Sequence, residues 1–336
     1  MKLCKRIVAA VLMAALFAVC IPALGADLPE YPEVPEGYDG YVTVCYSAII
    51  MGWGYILEPV LVPYHEGECV AEVSIRALDM NNIGSYYSTT STDGGFAGFY
   101  LMGVECAETE PAIPDYIMEQ FEIYPDWAEE NLGLSYGEWT GENVDDGFLS
   151  AYDYSTFSGW MFLDNDVSPW DGADALIAEE GHVYTWYFTV YGWGMDYGAN
   201  DGWGMFPAFD NPMEGVSRTE AQEFIGMVNG DDELAALVEE NAAEEYEALL
   251  AAIVDVESSQ EDIDAALAAV LAALYGESFE QGDVNMDGFV DSADALLIMR
   301  YAMQLIELED SALALADMNG DGVADLADAL LIMRAA

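Results

Sequence analysis

The residues best suited to chemistry form two copies of one loop near the end of the chain. Asp283, Asn285, Asp287, Asp291 and Asp294 stand at loop positions 1, 3, 5, 9 and 12 of the first copy. Asp317, Asn319, Asp321, Asp325 and Asp328 stand at the same positions of the second copy, 34 residues later, and both copies have Gly at position 6. Short acidic and amide side chains at alternate positions, with a Gly for the sharp turn, suit a hard cation such as Ca²⁺. An acidic surface turn could match this pattern once, but two matches at a fixed offset favour two Ca²⁺ sites. The position-7 ligands would be the backbone carbonyls of Phe289 and Val323.

Each loop is followed by the helix-forming run ADALLIMR, and no clear helix precedes it. Position 12 is Asp, whereas the usual EF-hand loop ends in a bidentate Glu. This combination resembles the type I dockerin and covers residues 280–336. The resemblance implies calcium-dependent binding to a cohesin domain on a scaffold protein, as in a cellulosome-like complex.

The dockerin resemblance also implies which residues meet the cohesin. They lie at loop positions 10 and 11 and near positions 17 and 18. In this chain they are Ser292, Ala293, Met299 and Arg300 in the first repeat and Leu326, Ala327, Met333 and Arg334 in the second. Because Ser292-Ala293 differs from Leu326-Ala327, the two faces are not equivalent.

The N-terminal 25 residues have the pattern of a signal peptide. Lys2, Lys5 and Arg6 precede the apolar run 7–19, and Ala23-Leu24-Gly25 supplies small residues for cleavage. Residues 26–37 form a Pro- and Glu-rich linker, and no later stretch predicts a membrane span. We therefore expect a secreted protein that its dockerin tethers to a scaffold.

The charge excludes several classes of partner. The chain has 63 acidic residues against 7 basic ones, and its net charge is −56. Such a surface repels nucleic acid and anionic membranes. With 53% hydrophobic and 12% aromatic residues, most of the chain should nevertheless fold. The three cysteines beyond the signal, Cys45, Cys69 and Cys106, permit either one disulfide and one thiol or three buried side chains.

Residues 38–206 predict an α+β domain, with a helix packed on a sheet. Strands are indicated at 41–50 and 55–64, and Pro59 and Pro63 indicate that the second strand either lies at a sheet edge or is interrupted. A helix should run from residue 70 to the stop at 81–84. Further strands are indicated at 86–90, 96–104, 158–163 and 182–191. The insertion at about 107–147 indicates a helix from 115 toward 122 and a separate turn at 127–131.

Two phrases in this region resemble the bacterial transcobalamin-like C-terminal domain family. The first, GYILEPVLVPYHEGECVAEVSIRALDMNNI, is similar to its opening hairpin and helix. The second contains SGWM at 158–161 and YGWGMDYG at 191–198, in the family's order. The resemblance implies a β-grasp fold of poorly defined function.

All eight tryptophans fall between residues 53 and 203. Trp193 and Trp203, in a Gly-rich segment, are predicted to be exposed and to contact a ligand. That ligand could be a glycan, a corrinoid or a cell surface. Most of the eight indole rings are nevertheless expected to fill the core of the domain.

Residues 207–279 predict an acidic, all-α hairpin or small bundle. Helices are indicated at 221–228 and 232–254, and a capping box at Ser258 and Glu261 should start the last one. We expect a spacer; the alternative is a partner-binding bundle.

Catalysis is not expected. His65 and His182 are the only histidines, and no nucleophile or zinc motif surrounds them. The alternative is a dockerin-borne enzyme that acts on plant polysaccharide through a carboxylate pair hidden among the acids.

Overall fold

A computed structural model defines the architecture. It describes residues 28–91, 95–108, 110–133, 137–143, 147–275, 281–285, 290–303, 305–306, 308, 310–320 and 322–335. The predicted signal peptide lies outside these residues. The described chain forms two compact units, which divide between residues 270 and 271. No helix in the described residues is long and apolar enough to cross a membrane.

The N-terminal unit is a mixed α/β structure, as predicted, with two sheets. The strands are β1 (Gly40–Ser47), β2 (Tyr55–Tyr64), β3 (Ser85–Ser88), β4 (Tyr100–Glu105), β5 (Phe148–Ser150), β6 (Gly159–Asp164) and β7 (Val183–Thr189). The larger sheet has the order β2-β1-β7-β6, and the smaller one has the order β3-β4-β5. In the larger sheet β1 pairs in parallel with β7, while β1 with β2 and β6 with β7 are antiparallel.

The central strand β1 is buried on both faces. Val42, Val44 and Tyr46 point to one face, and Thr43 and Cys45 point to the other, because side chains alternate along a strand. The predicted strand 41–50 is too long at its end, since Ile49–Met51 forms a 3₁₀ turn. β2 lies at the edge of the sheet, where prolines are tolerated because one side of the strand has no neighbour.

Helices cover both faces of the larger sheet. The helices of this unit are α1 (Val70–Met80), α2 (Asp115–Leu132), α3 (Thr219–Gly230), α4 (Asp232–Asn241), α5 (Ala243–Val254) and α6 (Gln260–Tyr275), the last of which crosses the division between units. Helix α1 buries Val70, Val73 and Ala77, and the Tyr46 hydroxyl donates to the carbonyl of Ser74 at 2.9 Å. The apolar stripe from which the sequence predicts α1 is therefore the side of the helix that packs on this face of the sheet.

Helix α3 packs on the opposite face through a buried polar cluster. The Gln222 amide donates to the Tyr55 hydroxyl at 3.0 Å and lies 3.5 Å from Cys45 Sγ. The Thr185 hydroxyl donates to Gln222 Oε1 at 3.0 Å. The compact unit therefore continues past the expected domain boundary at residue 206, up to residue 270, because α3 packs on the sheet.

Three predicted helix features are wrong in detail. The helix expected at 232–254 breaks at Ala242, whose φ of −142° leaves the helical region. The two segments expected in the insertion are one helix, α2, which continues through Pro125. The cap of α6 lies one residue later than predicted: the Ser259 hydroxyl and backbone N–H both donate to the Asp262 carboxylate.

The cysteines form no disulfide. Cys45 and Cys69 are buried and Cys106 is half-buried, and all three are free thiols. Complete burial raises the pKa of the Cys45 thiol to about 12. Cys45 therefore packs as a small hydrophobe rather than as a reactive group.

Candidate metal centre

The C-terminal unit consists of short helices around a small apolar core. Its helices after α6 are α7 (Ser292–Ala302), α8 (Asp310–Ala316) and α9 (Leu326–Ala335). The buried core residues are Val284, Ala295, Ile298, Ala312, Ala316, Ala329 and Ile332. Ala295 and Ile298 of α7 correspond to Ala329 and Ile332 of α9, so the sequence repeat places equivalent side chains in one core.

In the first loop, the position-12 carboxylate organises the backbone. Asp294 is fully buried, and its Oδ1 accepts the N–H groups of Val284 and Asn285 at 2.9 and 3.0 Å. Its Oδ2 accepts the N–H of Asp291 at 2.8 Å. Asp291 in turn caps α7 by accepting the N–H of Ala293 at 2.6 Å. The shorter Asp at position 12 thus links the loop to the start of the helix.

The second loop repeats this arrangement. Asp328 is fully buried and accepts the N–H groups of Asn319 and Asp325 at 3.1 and 2.8 Å. Asp325 caps α9 by accepting the N–H of Ala327 at 2.6 Å. Gly322 at position 6 has a φ of +83° and donates its N–H to Asp317 at 2.7 Å. The Gly is needed here because other residues rarely adopt this conformation.

The donor set of the loops fits a hard cation. Asp283 is only 1% exposed, and Asp294 and Asp328 are fully buried. Buried carboxylates are costly unless their charge is compensated. The ion pairs seen among the described residues involve Arg76 and His182, which both belong to the N-terminal unit. Oxygen ligands from Asp and Asn match calcium rather than a softer metal.

Part of the predicted ligand set is not described. Asp287, Phe289 and Asp321 lie outside the described residues. Among the described residues, no three His, Cys, Asp or Glu side chains are close enough together to hold a metal. The carboxylates of Asp294 and Asp328 face backbone N–H groups instead.

Most of the residues predicted to meet a cohesin are exposed on α7 and α9. Those exposed are Ser292, Ala293, Arg300, Leu326, Ala327, Met333 and Arg334. Met299 is instead half-buried against the core. Leu296 and Leu330, which the sequence analysis missed, are each 50% exposed on the same helices. Their i+4 spacing from Ser292 and Leu326 could have revealed them, since residues four apart share a helix face.

Paired calcium-type loops, each closed by Asp and followed by a helix with an exposed apolar stripe, define a docking module. The type I dockerin domain family matches residues 281–335, and these residues are a type I dockerin domain. Dockerin domains in general bind calcium and dock onto cohesin-bearing scaffolds in cellulosome-like complexes, and dockerin proteins are generally extracellular. No curated protein matches the chain.

The predicted ligand-contacting tryptophans lie together in the N-terminal unit. The ring centroids of Trp193 and Trp203 are 6.0 Å apart; Trp203 is 45% exposed and Trp193 is half-buried. Both line a groove of about 1230 Å³. Trp170, which the sequence analysis missed, also lines it and is 91% exposed. The turn residues Pro169 and Gly172 beside Trp170 could have indicated an exposed loop.

A buried carboxylate holds the turn between β7 and Trp193. Asp196 is fully buried and accepts hydrogen bonds from the Thr189 hydroxyl and from the N–H groups of Val190 and Tyr191, at 2.7, 2.7 and 3.0 Å. Burial raises the pKa of Asp196 to about 6, although the hydrogen bonds act in the opposite direction.

Proposed function

We propose that this chain is an exported, non-catalytic component of a scaffold-bound complex. Its dockerin, predicted at residues 280–336, attaches it to a cohesin, and its N-terminal domain binds a ligand or surface. The observation that carries the docking part is the equivalence of the two loops. Asp294 and Asp328 accept hydrogen bonds from equivalent loop residues, and Asp291 and Asp325 cap equivalent helices.

We propose two calcium sites, with the ligands predicted from the loop spacing. Bound Ca²⁺ offsets the mutual repulsion of the loop carboxylates. Asp294 and Asp328 connect each loop to the first turn of α7 or α9, so ordering a loop also orders the helix that follows. At free calcium a thousandfold above the dissociation constant, each site would stabilise the fold by about 4 kcal/mol.

The exposed stripes of α7 and α9 are the proposed cohesin-binding faces. Leu326 is 57% exposed at the start of α9, where α7 has Ser292. An exposed leucine gains more from burial against a partner than a serine does. The α9 face should therefore bind cohesin more tightly than the α7 face.

The N-terminal domain is proposed to be a β-grasp domain of the transcobalamin-like kind. The supporting observation is its topology. A β1–β2 hairpin is followed by α1, which covers one face of the sheet. The last strand, β7, lies parallel to β1 in the centre of the sheet.

We also propose that the N-terminal unit is not catalytic. This is supported by two carboxylates of the aromatic groove, which form hydrogen bonds within the fold. Asp166 accepts hydrogen bonds from the Ser217 hydroxyl at 2.6 Å and from the N–H groups of Arg218 and Thr219 at 3.1 Å, which caps α3. Asp201 accepts the N–H of Trp203 at 2.9 Å. An acid–base pair for glycoside hydrolysis needs carboxyl groups available to the substrate.

The docking proposal is tested on the full chain with a type I cohesin. Helical circular dichroism should increase on adding Ca²⁺, and cohesin should bind only when Ca²⁺ is present. The double variant Asp283→Ala, Asp317→Ala should lose both responses. The matched control, Asp210→Ala with Asp232→Ala, removes the same charge from exposed positions and should retain both. Equal cohesin binding in excess chelator would refute the proposal.

The non-catalytic part needs a separate measurement. The full chain is incubated with soluble plant polysaccharides, and reducing sugar is followed over time. No release above the buffer is expected. Turnover that disappears when one or two acids of the N-terminal unit are replaced would show that the chain is an enzyme.

A further inference from the structure

The groove of about 1230 Å³ runs beside the edge strand β6 of the larger sheet. Trp160, Met161 and Phe162 of β6 lie along it, the 166–173 turn contributes Trp170, and the 193–203 segment contributes two more indoles. Typical small-molecule pockets have volumes of about 300–1,000 Å³. The groove is therefore large enough for an extended ligand rather than one small ring.

The rim of the groove exposes several aromatic rings. Trp170 is 91% exposed, Tyr152 is 70% exposed, and Tyr100 and Trp203 are each 45% exposed. Aromatic rings usually stabilise proteins by burial, and their concentration on a surface marks a binding site. These four rings come from separate segments of the chain and are brought to one groove by the fold.

The backbone that carries these rings is strained. Tyr152, Trp193 and Trp203 have φ angles of +73°, +52° and +50°. Bulky residues rarely adopt this left-handed conformation, and such strain is concentrated at ligand clamps and similar sites. The 193–203 segment is also held rigidly: the Asn200 amide donates to the Trp193 carbonyl at 2.9 Å and accepts the N–H of Gly202 at 2.7 Å. The backbone that carries Trp193 and Trp203 is thus fixed in position before a ligand arrives.

The chemistry of the groove selects the ligand. Its described lining residues include no Lys, Arg or His; besides Asp166 and Asp201, which serve the fold, they include the carboxylate of the exposed Asp171 and the hydroxyls of Thr156 and Ser168. With a net charge of −56, the protein repels anions. Carboxylate, amide and hydroxyl groups accept hydrogen bonds from hydroxyl donors, and flat rings stack on apolar C–H faces. A neutral sugar chain has both features repeated along its length.

We propose that this groove binds a neutral polysaccharide chain, whose sugar faces stack on Trp170, Trp203 and Tyr152. This inference rests on the proposed function, in which the N-terminal domain is the ligand-binding part, and it names the class of ligand. Because the rings come from separate segments and the groove exceeds the volume of a typical small-molecule pocket, several sugar units would be held at once. Affinity should therefore rise with chain length.

The test uses affinity electrophoresis of the full chain in gels that contain mixed-linkage β-glucan, xylan, glucomannan or the anionic polygalacturonate. At least one neutral glycan should retard the protein, and polygalacturonate should not. Trp170→Ala and Trp203→Ala should each raise the dissociation constant about tenfold or more, as removal of a central aromatic contact does. Tyr275→Ala is the control, since Tyr275 is 50% exposed and lies outside the groove.

A second variant separates binding from folding. Tyr152→Gly removes an exposed ring from a left-handed position that Gly adopts freely, so glycan binding should weaken while the melting temperature does not fall. Binding by no neutral glycan, or unchanged binding by both Trp variants, would overturn the inference. So would binding of extended neutral peptides in place of glycans, which would make β6 a strand-pairing edge.

Glycan binding by the groove should not depend on cohesin binding by the dockerin. The Asp283→Ala, Asp317→Ala variant should bind glycan as the parent does. Lost glycan binding with intact cohesin binding in the groove variants would support the inference, whereas cohesin binding without any glycan binding by the parent would defeat it and leave the docking proposal standing.

Discussion

Asp196→Asn should change how the stability of the N-terminal unit depends on pH. Burial raises the pKa of Asp196 from 3.8 to about 6 in the folded state. The folded protein therefore holds this proton more tightly than the unfolded chain does. The resulting stability is fully present below about pH 4 and is lost as pH rises through 6. A shift of about two pKa units corresponds to about 3 kcal/mol.

The measurement is urea unfolding of the parent and the variant between pH 4 and 7, followed by tryptophan fluorescence. All eight tryptophans lie between residues 53 and 203, so the signal reports the N-terminal unit. The stability of the parent relative to the variant should fall by about 2 kcal/mol across this range. With a slope of about 2–3 kcal/mol per molar urea, the midpoint difference changes by about 1 M.

A control with the opposite sign is available in the same unit. Hydrogen bonds from Ser259 lower the pKa of Asp262, so its contribution is present at neutral pH and is lost as pH falls. Between pH 4 and 7 Asp262 is ionised in both the folded and the unfolded state, so Asp262→Asn should give a nearly flat difference curve there, and the opposite slope should appear only below about pH 4. If the stability difference between the parent and the Asp196→Asn variant stays flat, or rises with pH, the assignment of a raised pKa to the buried Asp196 is refuted.

Three further perturbations test other parts of the structure. Tyr152→Gly should stabilise the N-terminal unit by about 1 kcal/mol, because it relieves a left-handed backbone conformation without removing a buried ring. The melting temperature should therefore rise, and a lower melting temperature would contradict this prediction. Arg218→Met should lower the free energy of unfolding in urea by about 2–3 kcal/mol, because Arg218 is 2% exposed and its Nε donates to the Ile253 carbonyl at 3.0 Å. An unchanged free energy of unfolding would contradict this prediction. Leu330→Glu should weaken cohesin binding about tenfold or more in a titration and leave the calcium-induced helical signal intact. Leu296→Glu should have a smaller effect on cohesin binding. Equal effects of the two variants, or no effect of either, would contradict the proposed preference for α9.

The parts of the structure that sequence predicts best are those with local causes. Each dockerin loop places its proposed oxygen ligands within 12 residues, so the pattern is visible without knowledge of the fold. The edge position of β2 is similarly local, because Pro59 and Pro63 cannot donate to a neighbouring strand. Helix α1 has an apolar stripe and a cap, and its limits are close to those expected.

The second face of the sheet could not be predicted in this way. Helix α3 buries Gln222 and Gly226 together with apolar residues, so its buried side lacks a clean apolar stripe. The side-chain amide of Gln222 contacts Cys45 and is hydrogen-bonded to Thr185 and Tyr55, and all three residues are distant from it in sequence. A close approach also matters, since a Cβ on Gly226 would lie 2.9 Å from the Thr43 side chain. These pairings exist only in the folded unit, and without them α3 looks like part of a spacer.

The aromatic groove could not be predicted from sequence either, because its lining residues come from segments that are far apart in the chain. Two of its features nevertheless favour ligand binding. Exposing Trp170 forgoes the stabilisation that burial of an indole would give. The left-handed backbones of Tyr152 and Trp203 cost further stability. Neither feature helps the fold, and both converge on one groove formed by segments far apart in the chain. Because a ligand that stacks on these rings would cover them and use their fixed orientation, ligand binding accounts for both costs together, whereas core packing accounts for neither.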